Sequence, residues 1–374
     1  MKSMFFLANI FEKDLAIGIT KKIHQQIDAF HRLGYENIIY TGYLDDGVAV
    51  FDNSGNIIKF KKYTFKNKKI NSLTKNYDLK MLSYSFMKEG NTFDLIYSRY
   101  IFFDMFFLRF LKEAKKRAKK IVVEAHCYPV YEKGNYMLYP VYFLDSLYIK
   151  STQKYIDVVA AISDVKKIWG LKTVNFDNGI DLSKYKLKKM KKSQEMNIIF
   201  VGYEYIVHGL DRLLYGLNDY YKNGEVVMPV KVHLVGKFLN STIKLVDQLG
   251  LKKYVIFEGI KFGEDLDDIF DDCDIAVGVL AAHRKNSTLG TGLKTKEYFA
   301  RGIPFIIAGE SLNLDRSCPY VYRCPLDESN INILEIIEFY DGIKNIESLN
   351  EKIRNLAKNM TWDNEISKIL DALE

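Results

Sequence analysis

An alternation of short apolar strands with amphipathic helices constrains the fold of this chain more than any other feature. The first half opens with an apolar strand at 4–9, and a helix follows at 18–30, in which apolar residues recur at helical spacing. Further strands are predicted at 38–40, 94–97, 121–124 and 158–161. Because strand–helix–strand units joined by short turns pair their strands in parallel, we predict an α/β fold with a parallel sheet.

The same alternation restarts after a break. Residues 186–195 carry five lysines and show neither a strand nor a helix stripe, which is typical of a solvated linker. Later strands are predicted at 197–202, 231–236, 254–259, 274–278 and 304–308. The sequence therefore predicts two α/β domains of similar size. Ligands of such sheets bind at the carboxyl ends of the strands and, in two-domain cases, in the cleft between the domains.

Charge is distributed unevenly over the chain. Residues 1–185 contain 29 basic and 19 acidic side chains, whereas residues 196–374 contain 20 and 27. A basic half joined to an acidic half indicates that one half faces nucleic acid, lipid headgroups or a phosphorylated substrate. The apolar stretch 101–111 leads into the lysine-rich stretch 112–120, which is either a buried helix with a solvated basic end or a basic amphipathic face on anionic lipid.

Several function classes are excluded by missing motifs. Gly290 and Gly292 form a GxG pair without a third glycine, and neither HExxH nor GxSxG occurs. These absences argue against a dinucleotide dehydrogenase, a zinc protease and an α/β-hydrolase. The four cysteines form neither a disulfide framework nor zinc-ligand spacing, and no 18-residue apolar stretch exists. We expect a cytoplasmic protein without a spanning helix, and no signature of nucleic-acid binding is present.

The remaining signal is an ordered set of short motifs: NGID at 178–181, FVG at 200–202, HGLD at 208–211, HLVG at 233–236, FEG at 257–259, GTGLKTKEYFARGIP at 290–304 and TWD at 361–363. In this order they resemble GT-B glycosyltransferases, specifically the large retaining glycosyltransferase family four of bacterial polysaccharide synthesis. The resemblance implies two Rossmann-like domains facing across a cleft. It assigns 1–185 to the acceptor domain, 196–355 to the donor domain and 356–374 to a helix that crosses back to the first domain.

The activity that this resemblance implies is transfer of a sugar, with retention, from a nucleotide-diphosphate donor to a growing glycan of a surface polysaccharide. A UDP-sugar is the expected donor, and a glycan or a lipid-linked glycan is the expected acceptor. The resemblance implies no metal and no cofactor, because the helix dipole and side-chain donors stabilise the leaving diphosphate. We expect a cytoplasmic protein, or one held peripherally at an anionic inner membrane surface.

The donor site is expected around the start of a helix near Leu293. Glycines let the backbone approach a ligand, and the free N–H groups of a helix start bind a diphosphate. By resemblance, Glu297 holds the donor ribose; the alternative is a surface carboxylate that matches the helix dipole. The other donor-binding residues implied are Gly292, Leu293, Lys294, Thr295, Gly202, Tyr203, His208 and Gly18.

This chain departs from the family pattern at three positions. Leu289 stands where the family has a second glutamate, and Tyr203 and His208 stand where it has an Arg and a Lys. A neutral tyrosine does not replace the fork of an arginine, so Lys294 or Arg284 is the hypothesised source of the missing charge. These departures keep two alternatives open: a nucleotide-sugar epimerase of the same fold, and a non-catalytic glycosyltransferase-like partner subunit.

The first domain contributes three further candidates at predicted carboxyl ends of strands. His126 follows the strand at 121–124 and is the implied catalytic residue, because the family often has a histidine there that contacts the donor sugar. The alternative is a structural histidine. Arg99 and Glu124 are candidates for contacts with the acceptor.

Overall fold

The computed structural model divides the chain into two compact units. The first comprises Met1–Asn178 and Trp362–Glu374, and the second comprises Gly179–Thr361. The structure describes residues 2–11, 18–65, 67–126, 128, 139–163, 165–189, 191, 193–223, 226–285, 288, 292–310 and 314–374. Leu289 lies outside these residues. No helix in the described ranges has the length and the apolar character needed to cross a membrane.

The first unit is built on one large sheet. Its strands are β1 (Lys2–Leu7), β2 (Tyr35–Tyr43), β3 (Gly47–Phe51), β4 (Ile57–Lys62), β5 (Phe93–Arg99), β6 (Ala118–Ala125), β7 (Val158–Ala161), β8 (Lys167–Ile168) and β9 (Leu171–Asn175). Their spatial order is β4-β3-β2-β1-β5-β6-β7-β9-β8. Pairing is parallel from β2 to β9, and antiparallel strands close both edges.

Both faces of this sheet are covered, which explains why its strands are apolar on both sides. In β1, Phe5 and Leu7 point into one core cluster, while Met4 and Phe6 point into the other. The helices in the first part of this unit are α1 (Gly18–Arg32), α2 (Lys68–Lys88), α3 (Met105–Arg117) and α4 (Tyr139–Gln153).

The second unit contains a purely parallel sheet. Its strands are β10 (Met196–Val201), β11 (Val230–Val235), β12 (Val255–Gly259), β13 (Ile275–Val277), β14 (Phe305–Ala308) and β15 (Val321–Cys324), in the order β12-β11-β10-β13-β14-β15. Its helices are α5 (Leu210–Asn223), α6 (Asn240–Gln248), α7 (Gly263–Asp272), α8 (Leu293–Arg301), α9 (Ile333–Ile343) and α10 (Leu349–Ala357). The strand order reverses between β10 and β13, which makes their carboxyl ends a topological switch point.

The last helix, α11 (Trp362–Asp371), belongs to the first unit although it follows the whole second unit in sequence. Trp362 is fully buried, and its indole Nε1 donates to Gln25 Oε1 of α1 over 3.0 Å. The backbone N–H of Asp177 donates to Glu365 Oε2 over 2.9 Å. These contacts complete one core of the first unit.

The lysine-rich segment 186–195 packs on the second unit. The backbone N–H of Lys188 donates to the carbonyl of Arg301 over 2.8 Å, and the Asn350 side chain donates to the carbonyl of Lys188 over 2.8 Å. Lys188 itself is buried. The described part of the segment therefore belongs to the second unit and is not a solvated linker, because the backbone of Lys188 has protein partners that the sequence pattern does not reveal.

Candidate active site

The switch point of the second unit brings a glycine against a lysine. Gly202 follows β10 with a φ of 127°, in the left-handed region that favours glycine. A Cβ at this position would lie 2.8 Å from both Cε and Nζ of Lys294. Any larger residue at position 202 would displace the lysine head, so the glycine is what allows it to lie at the strand end.

Lys294 lies in the first turn of α8. Gly292 caps this helix in an extended conformation, and Thr295 donates to the Gly292 carbonyl through its backbone N–H and through its hydroxyl. The first N–H groups of a helix have no partner within the helix and carry a partial positive charge. The start of α8 therefore brings a backbone anion site next to a lysine side chain.

The ammonium of Lys294 is buried and has no hydrogen-bond partner among the described residues. Its Nζ lies 4.5 Å from the ring centre of Phe200. Burial lowers the pKa of Lys294 to about 7, although the charge of Glu297 opposes this shift. A buried cation without a partner is costly, so this group is poised to gain from a bound anion.

His208 and Tyr203 do not supply a second positive charge. The Nδ1 of His208 lies 2.8 Å from the Tyr203 carbonyl oxygen and donates to it. Burial and the nearby Lys294 lower the pKa of His208 to about 4, so the ring is neutral at neutral pH. The Tyr203 side chain is 62% exposed. His208 therefore does not replace the charge of the lysine that the family has at this position.

Arg284, the other hypothesised source of charge, is already engaged. Its guanidinium donates to both carboxylate oxygens of Asp211, over 2.9 and 2.7 Å, and to Glu328. These hydrogen bonds raise the pKa of Arg284 and neutralise its charge locally. Of the two residues hypothesised to supply the missing positive charge, only Lys294 has no carboxylate partner among the described residues.

Glu297 lies on α8, one position beyond the first turn. Its Oε1 accepts from Arg301 Nε over 2.8 Å, and Arg301 is buried and also pairs with Asp267. In the described residues no hydrogen bond to Oε2 of Glu297 occurs. The ion pair fixes the orientation of the carboxylate while leaving one oxygen for another donor. The assignment to the donor ribose stays a prediction.

In the first unit, Glu124 is the centre of a buried network at the carboxyl end of β6. It accepts from Lys22 Nζ over 2.9 Å, from Gln26 Nε2 over 3.0 Å and from Tyr97 OH over 2.9 Å. Burial alone would raise its pKa, but the charges of Lys22 and Arg99 hold the pKa of Glu124 at about 2. Because the carboxylate is fully buried and bound by three donors, it ties α1 to the sheet and presents no free oxygen to an acceptor.

Arg99 and His126 lie at the same edge of this sheet. Arg99 donates to Asn9 Oδ1 over 2.8 Å, yet its buried Nε has no partner among the described residues. The Nδ1 of His126 is likewise buried without a described partner. Burial and the charge of Arg99 lower the pKa of His126 to about 4, so its ring is neutral at neutral pH. Gly18 is the exposed first residue of α1, and no contact with a described residue assigns it a role.

Lys22 is a buried charged residue that the sequence analysis misses. It follows Lys21 on α1, and only the fold reveals that it meets Glu124, which follows it by 102 positions in the chain. Across the described ranges, no group of three or more His, Cys, Asp or Glu residues is arranged to hold a metal ion.

Comparison with solved structures identifies the fold. The chain resembles HepE (Alr3699) of Anabaena in complex with UDP, with a TM-score of 0.58 and 14% identity over 100% of both chains. A glycosyltransferase of Rickettsia africae has a TM-score of 0.66 and 14% identity, over 100% of this chain and 97% of that one. WaaG, a glycosyltransferase involved in lipopolysaccharide biosynthesis, has a TM-score of 0.59 and 14% identity, over 99% and 98%. No family model and no curated protein matches the sequence.

These similarities extend over the whole chain and confirm the predicted fold class. The protein has the two parallel-sheet domains of GT-B glycosyltransferase structures.

Proposed function

We propose that this protein is a glycosyltransferase that binds the diphosphate of a nucleotide-sugar donor at the switch point of its second unit. The observation that carries the proposal is the ammonium of Lys294, which is buried without a described partner beside Gly202 and the start of α8. A diphosphate supplies the negative charge and the acceptor oxygens that these groups lack.

The same groups suit the departure of a nucleoside diphosphate. As the bond from the sugar to the diphosphate breaks, negative charge grows on the leaving oxygen, and Lys294 and the α8 N–H groups stabilise it. The family resemblance adds retention of configuration, in which the leaving phosphate assists attack by the acceptor hydroxyl from the same face. His126 in this proposal contacts the donor sugar, and Glu297 holds the ribose.

The donor and the acceptor are proposed from similar proteins. HepE binds UDP and UDP-glucose, and WaaG acts in lipopolysaccharide biosynthesis. We therefore propose a UDP-sugar as the donor and a surface glycan as the acceptor.

Thermal shift with UDP, GDP and ADP tests the donor site, because a ligand that binds only the folded state raises the melting temperature. We expect UDP to stabilise the wild type and Lys252→Met, which removes an exposed lysine of the same unit. We expect Lys294→Met to weaken UDP binding at least about tenfold, since it removes a charge-assisted contact. A folded Lys294→Met variant that UDP stabilises like the wild type would overturn the assignment.

A second measurement separates an enzyme from a non-catalytic partner subunit. Release of UDP from UDP-sugars, with and without a glycan acceptor, reports turnover. We expect turnover in the wild type and its loss in Lys294→Met. UDP binding without any turnover of UDP-sugars would favour the non-catalytic alternative.

A further inference from the structure

Helix α4 presents an apolar face to solvent. Tyr139, Phe143, Leu144 and Leu147 have exposed fractions of 47%, 64%, 51% and 55%. Tyr139, Phe143 and Leu147 recur every four residues, and Leu144 lies three residues before Leu147, which puts all four on one side of the helix. The opposite side, with Tyr142, Asp145 and Thr152, is buried. Large apolar side chains grouped on one exposed helix face are a sign of an interaction surface.

This face carries no exposed carboxylate. The only acidic residue of α4 is Asp145, which is buried and accepts from Tyr100 OH over 2.7 Å and from the backbone N–H of Phe103. Lys150, near the end of the helix, is exposed. The outward side of α4 is thus apolar with a cationic end.

Helix α3 packs against α4 and adds a row of cations. Arg109, Lys112 and Lys116 are exposed and lie three and four residues apart, whereas Phe107, Phe110 and Leu111 point into the core. Lys116 pairs with Glu113, but Arg109 and Lys112 form no ion pair with any described residue. The apolar residues of 101–111 are therefore mostly core. Of these two helices, α4 carries most of the exposed apolar side chains and α3 carries the row of exposed cations.

We propose that α4 and α3 form a membrane-docking face, in which the exposed apolar residues of α4 enter the headgroup boundary of an anionic bilayer and the cations of α3 contact lipid phosphates. Apolar burial combined with basic residues is the composition of interfacial helices. A second copy of this chain suits the face less well, because pairing through it would bring two rows of cations together. The proposal goes beyond the donor site and does not rest on it.

Co-sedimentation of the full chain with vesicles tests the proposal. The vesicles consist of phosphatidylcholine alone or with phosphatidylglycerol. We expect the wild type to bind only the vesicles that contain phosphatidylglycerol. The double variant Phe143→Ser/Leu147→Ser should bind them at least about tenfold more weakly, because it no longer transfers two large apolar side chains from water into the bilayer. Ile243→Ser is the matched control, since Ile243 is a 43% exposed apolar residue on helix α6 of the other unit. It should bind like the wild type.

Charge is tested separately. Arg109→Gln/Lys112→Gln should weaken binding at low salt and flatten its dependence on salt, because exposed charges act through a screened field. Binding by Phe143→Ser/Leu147→Ser equal to that of the wild type would overturn the proposal, as would equal binding to vesicles without phosphatidylglycerol. A wild-type dimer that this double variant splits would show that a second copy covers the face.

The melting temperature of each variant with and without UDP checks that it remains folded. This readout also separates the two proposals. Vesicle binding without any stabilisation by UDP would contradict the donor site and leave the membrane face standing, whereas the reverse result would contradict only the membrane face.

Discussion

At the scale of single residues, the pKa of Lys294 links donor binding to pH. In the free protein this pKa is about 7, below the ordinary value of 10.5, so at pH 8 most of the lysine is neutral. A diphosphate binds the charged form and raises the pKa, so binding takes up a proton. We expect nucleotide affinity to fall as the pH rises above about 7. Calorimetry at pH 8 in buffers of different ionisation enthalpy measures this uptake.

The variant Lys294→Met is the control for this prediction. His208 and His126, with pKa values of about 4, remain neutral at pH 8 and do not contribute through their own free-state titration. The variant should therefore show no uptake linked to UDP. If the Lys294→Met variant still took up a proton on binding UDP, the proton would belong to a group other than Lys294.

Glu297 supports a second prediction at this scale. If it holds the donor ribose, Glu297→Ala loses charge-assisted hydrogen bonds worth roughly 1.5–3 kcal/mol each, and nucleotide affinity falls at least about tenfold. Glu264→Gln is the matched control, because it removes an exposed helix carboxylate that pairs with Lys186. Titration calorimetry with UDP checks the prediction.

Glu297 also pairs with the buried Arg301, so the alanine variant removes two interactions at once. Glu297→Gln keeps a hydrogen-bond acceptor near Arg301 and serves as the milder variant. A folded Glu297→Ala protein with wild-type affinity for UDP would assign the residue to the ion pair alone.

The sequence predicts that α8 starts near Leu293, and hence that Lys294 lies in its first turn, because glycines followed by a helical stretch mark a helix start. It does not predict that Arg284 is neutralised, since one of its partners, Glu328, lies 44 positions away in the chain. Nor does it predict the neutral state of His208, which depends on burial. The chemical state of a site residue is set by neighbours that only the fold brings together.

At the scale of elements, the Lys22–Glu124 pair joins α1 to β6. Glu124→Gln leaves Lys22 as a buried charge with a weaker partner, which costs about 3–5 kcal/mol by analogy with broken buried ion pairs. In Lys22→Met/Glu124→Gln the loss should be smaller than the sum of the single variants. Hydrogen exchange in α1 and the melting temperature measure both effects. Strict additivity of the variants would contradict direct coupling.

The same pair predicts sensitivity to acid. The pKa of Glu124 is about 2 in the fold and 4.5 in its ordinary state, so its contribution to stability is complete above pH 4.5 and is lost as the pH falls towards 2. Burial lowers the pKa of Lys22 from its ordinary value, and the charge of Glu124 opposes this shift. In melting experiments from pH 6 to pH 3, the destabilisation caused by Glu124→Gln should therefore shrink. A constant difference would contradict the role of the Glu124 charge.

Helices and strands whose apolar residues recur at regular spacing were predicted well. Helix α1 was expected at 18–30 and spans Gly18–Arg32, and β7 lies at Val158–Ala161 as predicted. The turn at 52–56 is held by Asp52, which accepts from the backbone N–H groups of Ser54 and Asn56. Helix α4 was missed because its apolar residues lie on both its buried and its exposed sides and leave no single stripe.

At the scale of the whole molecule, α11 should determine the stability of the first unit. Trp362→Ala removes a fully buried indole and its hydrogen bond to Gln25, at a cost of about 3–5 kcal/mol. Hydrogen exchange should accelerate in the first unit while amides of the second unit keep their rates. Leu356→Ala, at an exposed position of α10, is the control. Equal acceleration in both units would contradict this assignment.

Two domains were predicted from the restart of the strand–helix alternation, which is a repeated local pattern. The structure, however, begins its second unit at Gly179 and ends it at Thr361, while the predicted donor domain covers 196–355. The difference arises because boundaries depend on which backbone groups find partners. Residues 186–195 resemble a linker in composition, yet Lys188 bonds to Arg301.

The position of α11 also has a consequence for synthesis on the ribosome. The second unit is one continuous stretch of chain, and all of its residues have been translated before the first unit receives its closing helix. The amino-terminal part, although made first, lacks the Trp362 indole in its core until α11 has been translated. The second unit is thus able to complete its fold before the first unit, whose core waits for α11.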